Sequence, residues 1–516
     1  MRHVVMMVLQ VAYTVGAFAV IAAGLLSYTV VVLSSLLFPT SFASISATAT
    51  VSSVPEVRVG AKWYSPTSSW INNLTLNLDN DGVGGFYFNG SAPPYNDDES
   101  ISWCNMPHVH VSNYQVPSSA FELVYVEVIH RHHKRTPYQD NGFPIETSAW
   151  SCSDIGLFIY GASLGTVANS SAGVYWQVEE NPVNPYHISG LKGTCQFPQI
   201  TMGGLDDSRK HGDDLFGVYG SKLRFLPEHP DETVAFRVTN NIITSQVAGA
   251  LIKGMFGPAL LEEVPLSIQP ALTDSLEPKY SCPPASQLYR SYSVGSLDPA
   301  WLFHLNESRS LFQALDIVSG VPESDFEFHK SFDHYFDNLS ARQCHQQPLP
   351  CSVRDTSRCV TQKQADSVYR IGMYEYSYIH RDSPRSLDAA LGSYGVFVAE
   401  LVHNIRAKIS GQSKIKYLHN IAHDGSISRL LSLLQVEKMI WPGMGAELVF
   451  EVYKRKDKDN HVVRVLWGGR VFESSHPALG KIDMIDIDIF TGYLEELVGK
   501  QVEKVVAFCT NDVNGS

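Results

Sequence analysis

The sequence predicts an α/β fold in which a central, largely parallel or mixed sheet is flanked by helices and capped along one edge by a mainly helical insertion. Three observations predict it. Short runs dense in β-branched residues recur, and two of them lead directly into helical patterns. Between the second and third of these runs lie roughly 175 residues whose periodicity is helical. A strand followed by a crossover helix feeds a parallel neighbour, so the repetition implies parallel pairing.

The elements follow in order. Residues 1–49 carry Arg2, an uncharged stretch from Val4 to Phe38 and the small polar run SFASISATATVSS. This reads as an export signal cleaved after Ala49, with Ala47 two positions before it, or as an uncleaved signal anchor, because the stretch is long enough for a bilayer core of ~30 Å. Residues 50–118, rich in Ser, Asn, Gly and Pro, read as an irregular segment packed on the core. ELVYVEVIH at 122–130 is apolar on both faces apart from Glu127, as a strand buried between layers must be. TVAFRVT at 233–239 is a second strand, followed by a helix in which Val247, Leu251 and Ile252 recur and Gly254 supplies a stop. IKYLHNIAH ends at His423 and enters a helix striped by Leu430, Leu431 and Leu434. GAELVFEVYKRK and HVVRVLWGGRVFE make an antiparallel pair. The core therefore comprises 119–250 and 411–516, and 251–410 is the cap, placed over the carboxyl edge where such sheets bind ligands.

Composition narrows the function. A net charge of −13 argues against a sequence-independent nucleic-acid binder, which needs a basic surface. Eight cysteines follow the leader, none in a CxxC pair or at zinc-finger spacing from a histidine. They read as disulfides of an oxidising compartment, with the connectivity open. Six sequons, at Asn73, Asn89, Asn169, Asn306, Asn338 and Asn514, point the same way, to a secreted or extracellular protein, membrane-associated only if the leader is retained.

Two strand ends carry chemistry. RHHKRTP at 131–137 crowds Arg131, Lys134 and Arg135 around His132, which suits an anion held by guanidinium forks beside a nucleophilic imidazole. A solvated basic loop is the plainer alternative. Of His130, His132 and His133, at most two side chains of an extended segment can converge, so the sequence assigns no metal. His423 and Asp424 stand at the other strand end, where Asp424 is either a carboxyl acid or simply a helix cap.

RHHKRTP and the His423–Asp424 pair resemble the two signatures of the histidine acid phosphatases. CQFPQIT, HGDDLFGVYG with LRFLP, VYRIGMYEYSYIHRDSP and WPGMGAELVFEVYKR resemble the secreted fungal branch, which includes phytases. The resemblance runs from about residue 60 to the C-terminus and implies a phosphoglycerate mutase-like core and a secreted acid phosphatase acting on small phosphomonoesters without a cofactor. It implies that His132 is the nucleophile, that Arg131 and Arg135 bind the phosphoryl oxygens, that His423 hydrogen-bonds them, and that Asp424 protonates the leaving alcohol. A carboxyl beside bound phosphate should have a raised pKa, which favours acidic working conditions.

Two positions depart from the family pattern. His133 replaces the glycine after the nucleophile, and Ile243 stands where a third arginine is usual. Arg237 on the preceding strand is the candidate substitute ligand, or else a strand residue paired with an acidic neighbour. A non-catalytic phosphate- or sugar-phosphate-binding ectodomain is the alternative function, and a phosphomutase of the same superfamily a more distant one.

Overall fold

The computed structural model of the protein describes residues 62–90, 100–145, 148–153, 177–179, 183, 190–257 and 263–510. The leader and the sequons Asn169 and Asn514 lie outside the described residues. No helix among those residues is long and apolar enough to cross a membrane.

The strands are β1 (Phe86–Tyr87), β2 (Ile101–Ser102), β3 (Phe121–Arg131), β4 (Val234–Val238), β5 (Leu266–Ser267), β6 (Tyr417–Ala422), β7 (Glu447–Arg455), β8 (His461–Trp467), β9 (Arg470–Val471) and β10 (Ile485–Asp486). The helices are α1 (Leu74–Asp79), α2 (Met202–Phe216), α3 (Ile242–Phe256), α4 (Pro283–Tyr292), α5 (Pro299–Glu307), α6 (Arg309–Ser319), α7 (Phe326–His329), α8 (Asp333–Cys344), α9 (Gln362–Ser377), α10 (Ser386–Ile409), α11 (Asp424–Leu433), α12 (Ile487–Val498) and α13 (Glu503–Thr510). The main sheet has the order β10-β8-β7-β3-β6-β4-β5, with β9 on β8. It is mixed: β3, β6, β4 and β5 are parallel, whereas β7 runs antiparallel to β3 and begins an antiparallel half.

Strand alternation divides the side chains between two cores. Val126 and Val128 of β3, Phe236 and Val238 of β4, and Ile421 of β6 join the core beneath α2 and α3. Tyr125 and Ile129 face the opposite way, into the core built with α10, α11 and α12. Glu127, the acidic residue in the middle of the predicted strand, is buried on that second face, where it accepts hydrogen bonds from Tyr125 Oη at 2.6 Å and Asn420 Nδ2 at 3.1 Å.

Two expectations change. The helix after β4 does not stop at Gly254; it runs to Phe256, and Gly257, at φ 77°, ends it. Gly254 serves packing instead, because a Cβ there would lie 1.9 Å from the carbonyl oxygen of Arg209 on α2, while one on Gly212 would lie 2.1 Å from that of Leu251. The two glycines let α2 and α3 touch backbone to backbone. Gly254→Ala should therefore destabilise the fold by about 2–3 kcal/mol or more, through separation of the helices, read as a lowered midpoint in thermal or urea unfolding. The 24-residue α10 was expected in the cap but packs against α11 and α12 on the sheet, with thirteen buried positions along its length.

The eight cysteines form four disulfides: Cys104–Cys344, Cys152–Cys195, Cys282–Cys509 and Cys351–Cys359. Cys104–Cys344 ties the N-terminal segment to α8, and Cys282–Cys509 ties the entry of α4 to α13. Of the sequons, Asn73, Asn89 and Asn306 are exposed, but Asn338 is not a surface acceptor. It is 4% exposed on α8, donating to the Asn141 carbonyl at 3.0 Å and accepting from Arg342 Nε at 3.0 Å.

Candidate active site

The parallel register brings both chemical segments to one edge. Arg131 closes β3 opposite Ala422 of β6, and Val238 of β4 pairs with the neighbouring Ile421, so the chain leaves all three strands at one level. The next residues are pinned by the backbone: His132 N–H donates to the Ala422 carbonyl at 3.0 Å, and the His132 carbonyl accepts from Gly445 N–H at 3.2 Å. The rings of His132 and His423 lie 5.4 Å apart between centroids, close to edge-on. His132 is 1% exposed, and its Nδ1 lies 3.0 Å from the carbonyl of His133. A carbonyl can only accept, so Nδ1 carries the proton and Nε2 keeps its lone pair. Burial, then Arg131, Arg135 and His423, holds the imidazole well below its ordinary pKa, which keeps that lone pair available in acid.

Arg131 is almost fully buried. Its Nη1 donates to the Pro442 carbonyl at 2.6 Å, its Nη2 pairs with Asp424 at 3.1 Å, and its guanidinium lies 5.1 Å from the centre of the Trp103 ring. Arg135 pairs with Asp337 of α8 at 3.0 Å and lies over Tyr138 at 4.2 Å. The Nε–H of each arginine is buried without a protein partner, as expected of donors reserved for an anion. Lys134, the third cation of the motif, is spent on Asp207 at 2.9 Å and the Gly90 carbonyl at 3.1 Å.

Asp424 is the first residue of α11 and does not cap it. Its carboxylate accepts from its neighbour Gly425 N–H at 2.7 Å and from Trp441 Nε1 at 3.0 Å. Burial acts to raise its pKa, but Arg131, the Trp441 indole and Arg135 outweigh burial and hold it at about 2. The expected rise concerns the carboxyl beside bound phosphate; among the site's own groups alone, the two guanidiniums prevail. His423 Nε2 shares a hydrogen bond with Thr239 Oγ1 at 3.0 Å and lies 3.5 Å from Glu277.

Arg237 does not join these residues. On β4 it alternates with Phe236 and Val238, so it points to the α10 face, where it pairs with Glu400 at 2.7 Å and hydrogen-bonds Gln269 and Ser275. It lines a separate cavity of about 1160 Å³ that contains none of the other candidates. Ile243, at the position usual for arginine, is fully buried in the α2/α3 core.

The sequence reading missed several partners. Asp337 holds Arg135 while also accepting from Tyr138 N–H and Asn141 Nδ2. Trp441, clamped between Phe336 and Tyr376 at 4.0 Å each, presents its N–H to Asp424. Asp333 at the start of α8 has its pKa raised by burial and by Asp337 and Asp424, although half of its side chain is solvent-accessible. WPGMGAELVF was visible as a motif, but only the fold shows that its indole reaches Asp424.

A family model described as the histidine phosphatase superfamily (branch 2) matches residues 122–467. The chain is similar to counting factor 60 of Dictyostelium discoideum, with 24% identity over 68% of this chain and 80% of that protein. It is also similar to human 2-phosphoxylose phosphatase 1, with 21% identity over 73% of this chain and 78% of that protein. Among solved structures it resembles the phytase of Klebsiella sp ASR1, at a TM-score of 0.48 and 14% identity, covering 74% of this chain and 95% of that one.

Proposed function

The chain belongs to the histidine phosphatase superfamily, branch 2, as a phosphomonoester hydrolase, and we propose that it is an extracytoplasmic acid phosphatase that passes the phosphoryl group through His132. The observation that carries the reading is the His132 Nδ1–H to His133 carbonyl bond, which leaves a neutral Nε2 as nucleophile among Arg131, Arg135, His423 and Asp424. Nε2 attacks phosphorus and the ester P–O bond breaks, with the carboxyl proton of Asp424 passing to the departing alcohol. The Asp424 carboxylate then takes a proton from water as its oxygen attacks the phosphohistidine, the N–P bond breaks, and inorganic phosphate leaves. Arg131, Arg135 and His423 neutralise the phosphoryl oxygens throughout. Four disulfides fit an extracellular or luminal protein.

We infer from the ion pair of Asp424 with Arg131, which lowers its pKa, that the catalytic proton comes in with the substrate. With the resting carboxyl ionised, the proton arrives on the substrate as a phosphomonoester monoanion and moves to Asp424 once the dianion sits beside it. The second phosphate pKa is about 6, so kcat/KM should fall by about tenfold per unit above that pH, as the monoanion disappears. Phosphate release from an aryl phosphate between pH 3 and pH 8 measures this. No turnover by folded protein anywhere in that range rejects the enzyme, and a flat profile to pH 8 rejects the proton source. The similarity to 2-phosphoxylose phosphatase 1 makes a sugar phosphate the first alkyl ester to try.

One observation favours a weaker enzyme or a phosphate-binding domain: Ile243 offers no donor and Arg237 is committed to Glu400. Losing one such ligand costs about 2–3 kcal/mol of transition-state stabilisation. The binding reading is distinguished by phosphate raising the melting temperature of a chain that shows no turnover.

A further inference from the structure

His133, the residue where the resembling family has glycine, has its side chain fully buried. There it meets His130, the even-numbered neighbour on the inner face of β3, and His211, which α2 brings in from the same side. All three are 0% exposed, and one ring nitrogen from each lies within 4.8 Å of the others. His133 Nε2 and His211 Nδ1 face each other at 3.1 Å, while His130 Nε2 and His133 Nδ1 are buried without a partner. An ion held by His133 Nε2 and His211 Nδ1 would also take up His130 Nε2, which a purely packed cluster leaves unsatisfied at about 1–3 kcal/mol.

We propose that His130, His133 and His211 form a structural site for one Zn²⁺ ion. The donor set is three imidazoles with no carboxylate in the inner ring, which suits zinc and its neighbours in the transition series and not Mg²⁺ or Ca²⁺. Zinc–nitrogen bonds of about 2.0–2.1 Å set ligand nitrogens about 3.4 Å apart, so the His133–His211 pair, at 3.1 Å, is already near that spacing and the widest pair, within 4.8 Å, must close by up to about 1.4 Å. The outer contacts of His211 and His130 are those of metal-bound histidines, in which the second ring nitrogen is held by a partner chain. His211 Nε2 meets Glu447 Oε2 at 2.8 Å, and His130 Nδ1 meets His419 Nε2 at 2.7 Å, backed in turn by Tyr417 Oη at 2.8 Å. Burial keeps the rings neutral, pushing His130 and His133 well below the ordinary histidine value and His211 to about 4. His108, stacked on His211 at 4.0 Å and bound to Asp214, together with His110 on the same carboxylate, makes a row of donors from the surface inward.

The site bears on catalysis by position. The His133 carbonyl fixes the tautomer of His132, and Gly445, at φ 72°, leaves the His133 ring no slack, since a Cβ there would lie 2.5 Å from its Cε1. An ion gripping that ring would hold the carbonyl, and through it the nucleophile, in place.

The test is metal analysis of tag-free, full-length protein by mass spectrometry after dialysis, followed by Co²⁺ titration of chelator-stripped protein. About one zinc per chain and a visible cobalt band of tetrahedral intensity are expected, with both lost in His133→Asn. His133→Gly, the family's own residue, gives a second readout should the asparagine variant not fold. Wild type that holds no stoichiometric zinc and shows no cobalt band, or variants that bind as well as wild type, overturn the proposal. Because metal content is read without turnover, its failure leaves the phosphatase reading standing, and the reverse also holds.

Discussion

His132→Ala should lower kcat on every phosphomonoester by about 10⁴-fold or more, because it removes the atom that bonds to phosphorus and no neighbour can take its place. His423 lies edge-on to the ring at 5.4 Å but is engaged by Thr239 and Glu277, and the other imidazoles nearby are fully buried. Folding should survive, since the loop is held by its backbone: His132 N–H bonds Ala422 and its carbonyl accepts from Gly445 whatever the side chain. Two measurements check this together. Steady-state phosphate release should vanish, and wild type incubated with radiolabelled substrate and quenched in alkali, where a phosphohistidine survives, should carry label on His132 that the variant lacks. Label on another residue, or residual turnover within tenfold of wild type, rejects His132 as the nucleophile.

Asp424→Asn should separate substrates by leaving group. Asparagine keeps the size of the side chain and can still accept from Trp441, but it has no proton to give, so kcat on an alkyl phosphate should fall by about 10²–10³-fold. An aryl phosphate whose phenolate leaves unaided should lose far less in the first step. Removing the carboxylate also frees Arg131, now paired with it at 3.1 Å, so inorganic phosphate should inhibit the variant more strongly than wild type. Equal losses on both esters with unchanged inhibition by phosphate would mean that Asp424 only braces Arg131.

Much of this was legible in the sequence because it depends on period and strand ends. β-Branched runs marked β3, β4 and β6, and parallel register then had to bring residues 131–135 and 423–424 to the same edge. Arg237, taken as a candidate ligand, breaks the same rule: Phe236 and Val238 are its apolar neighbours, so the arginine between them faces the other layer. What could not be read were pairings across long stretches of chain, such as Arg135 with Asp337, 202 residues away, and the direction of His133 once the chain leaves the strand after Arg131. Alternation along an extended segment correctly kept adjacent histidines apart but gave no hint that α2 would supply His211. Gly254 looked like a helix stop because glycine's two uses, ending a helix and admitting a neighbour, leave the same letter in the sequence.

The buried Asn338 has a consequence for the order of events during maturation. Its Asn-Leu-Ser tripeptide is a legitimate acceptor only while the chain is extended, since in the finished molecule the amide is locked between Asn141 and Arg342. An oligosaccharide added there early would keep α8 from seating, and the adjacent Asp337 would never reach Arg135. In any compartment with an active transferase, collapse of that helix and sugar transfer are therefore competitors in time, and molecules that lose the race are barred from assembling the anion pocket.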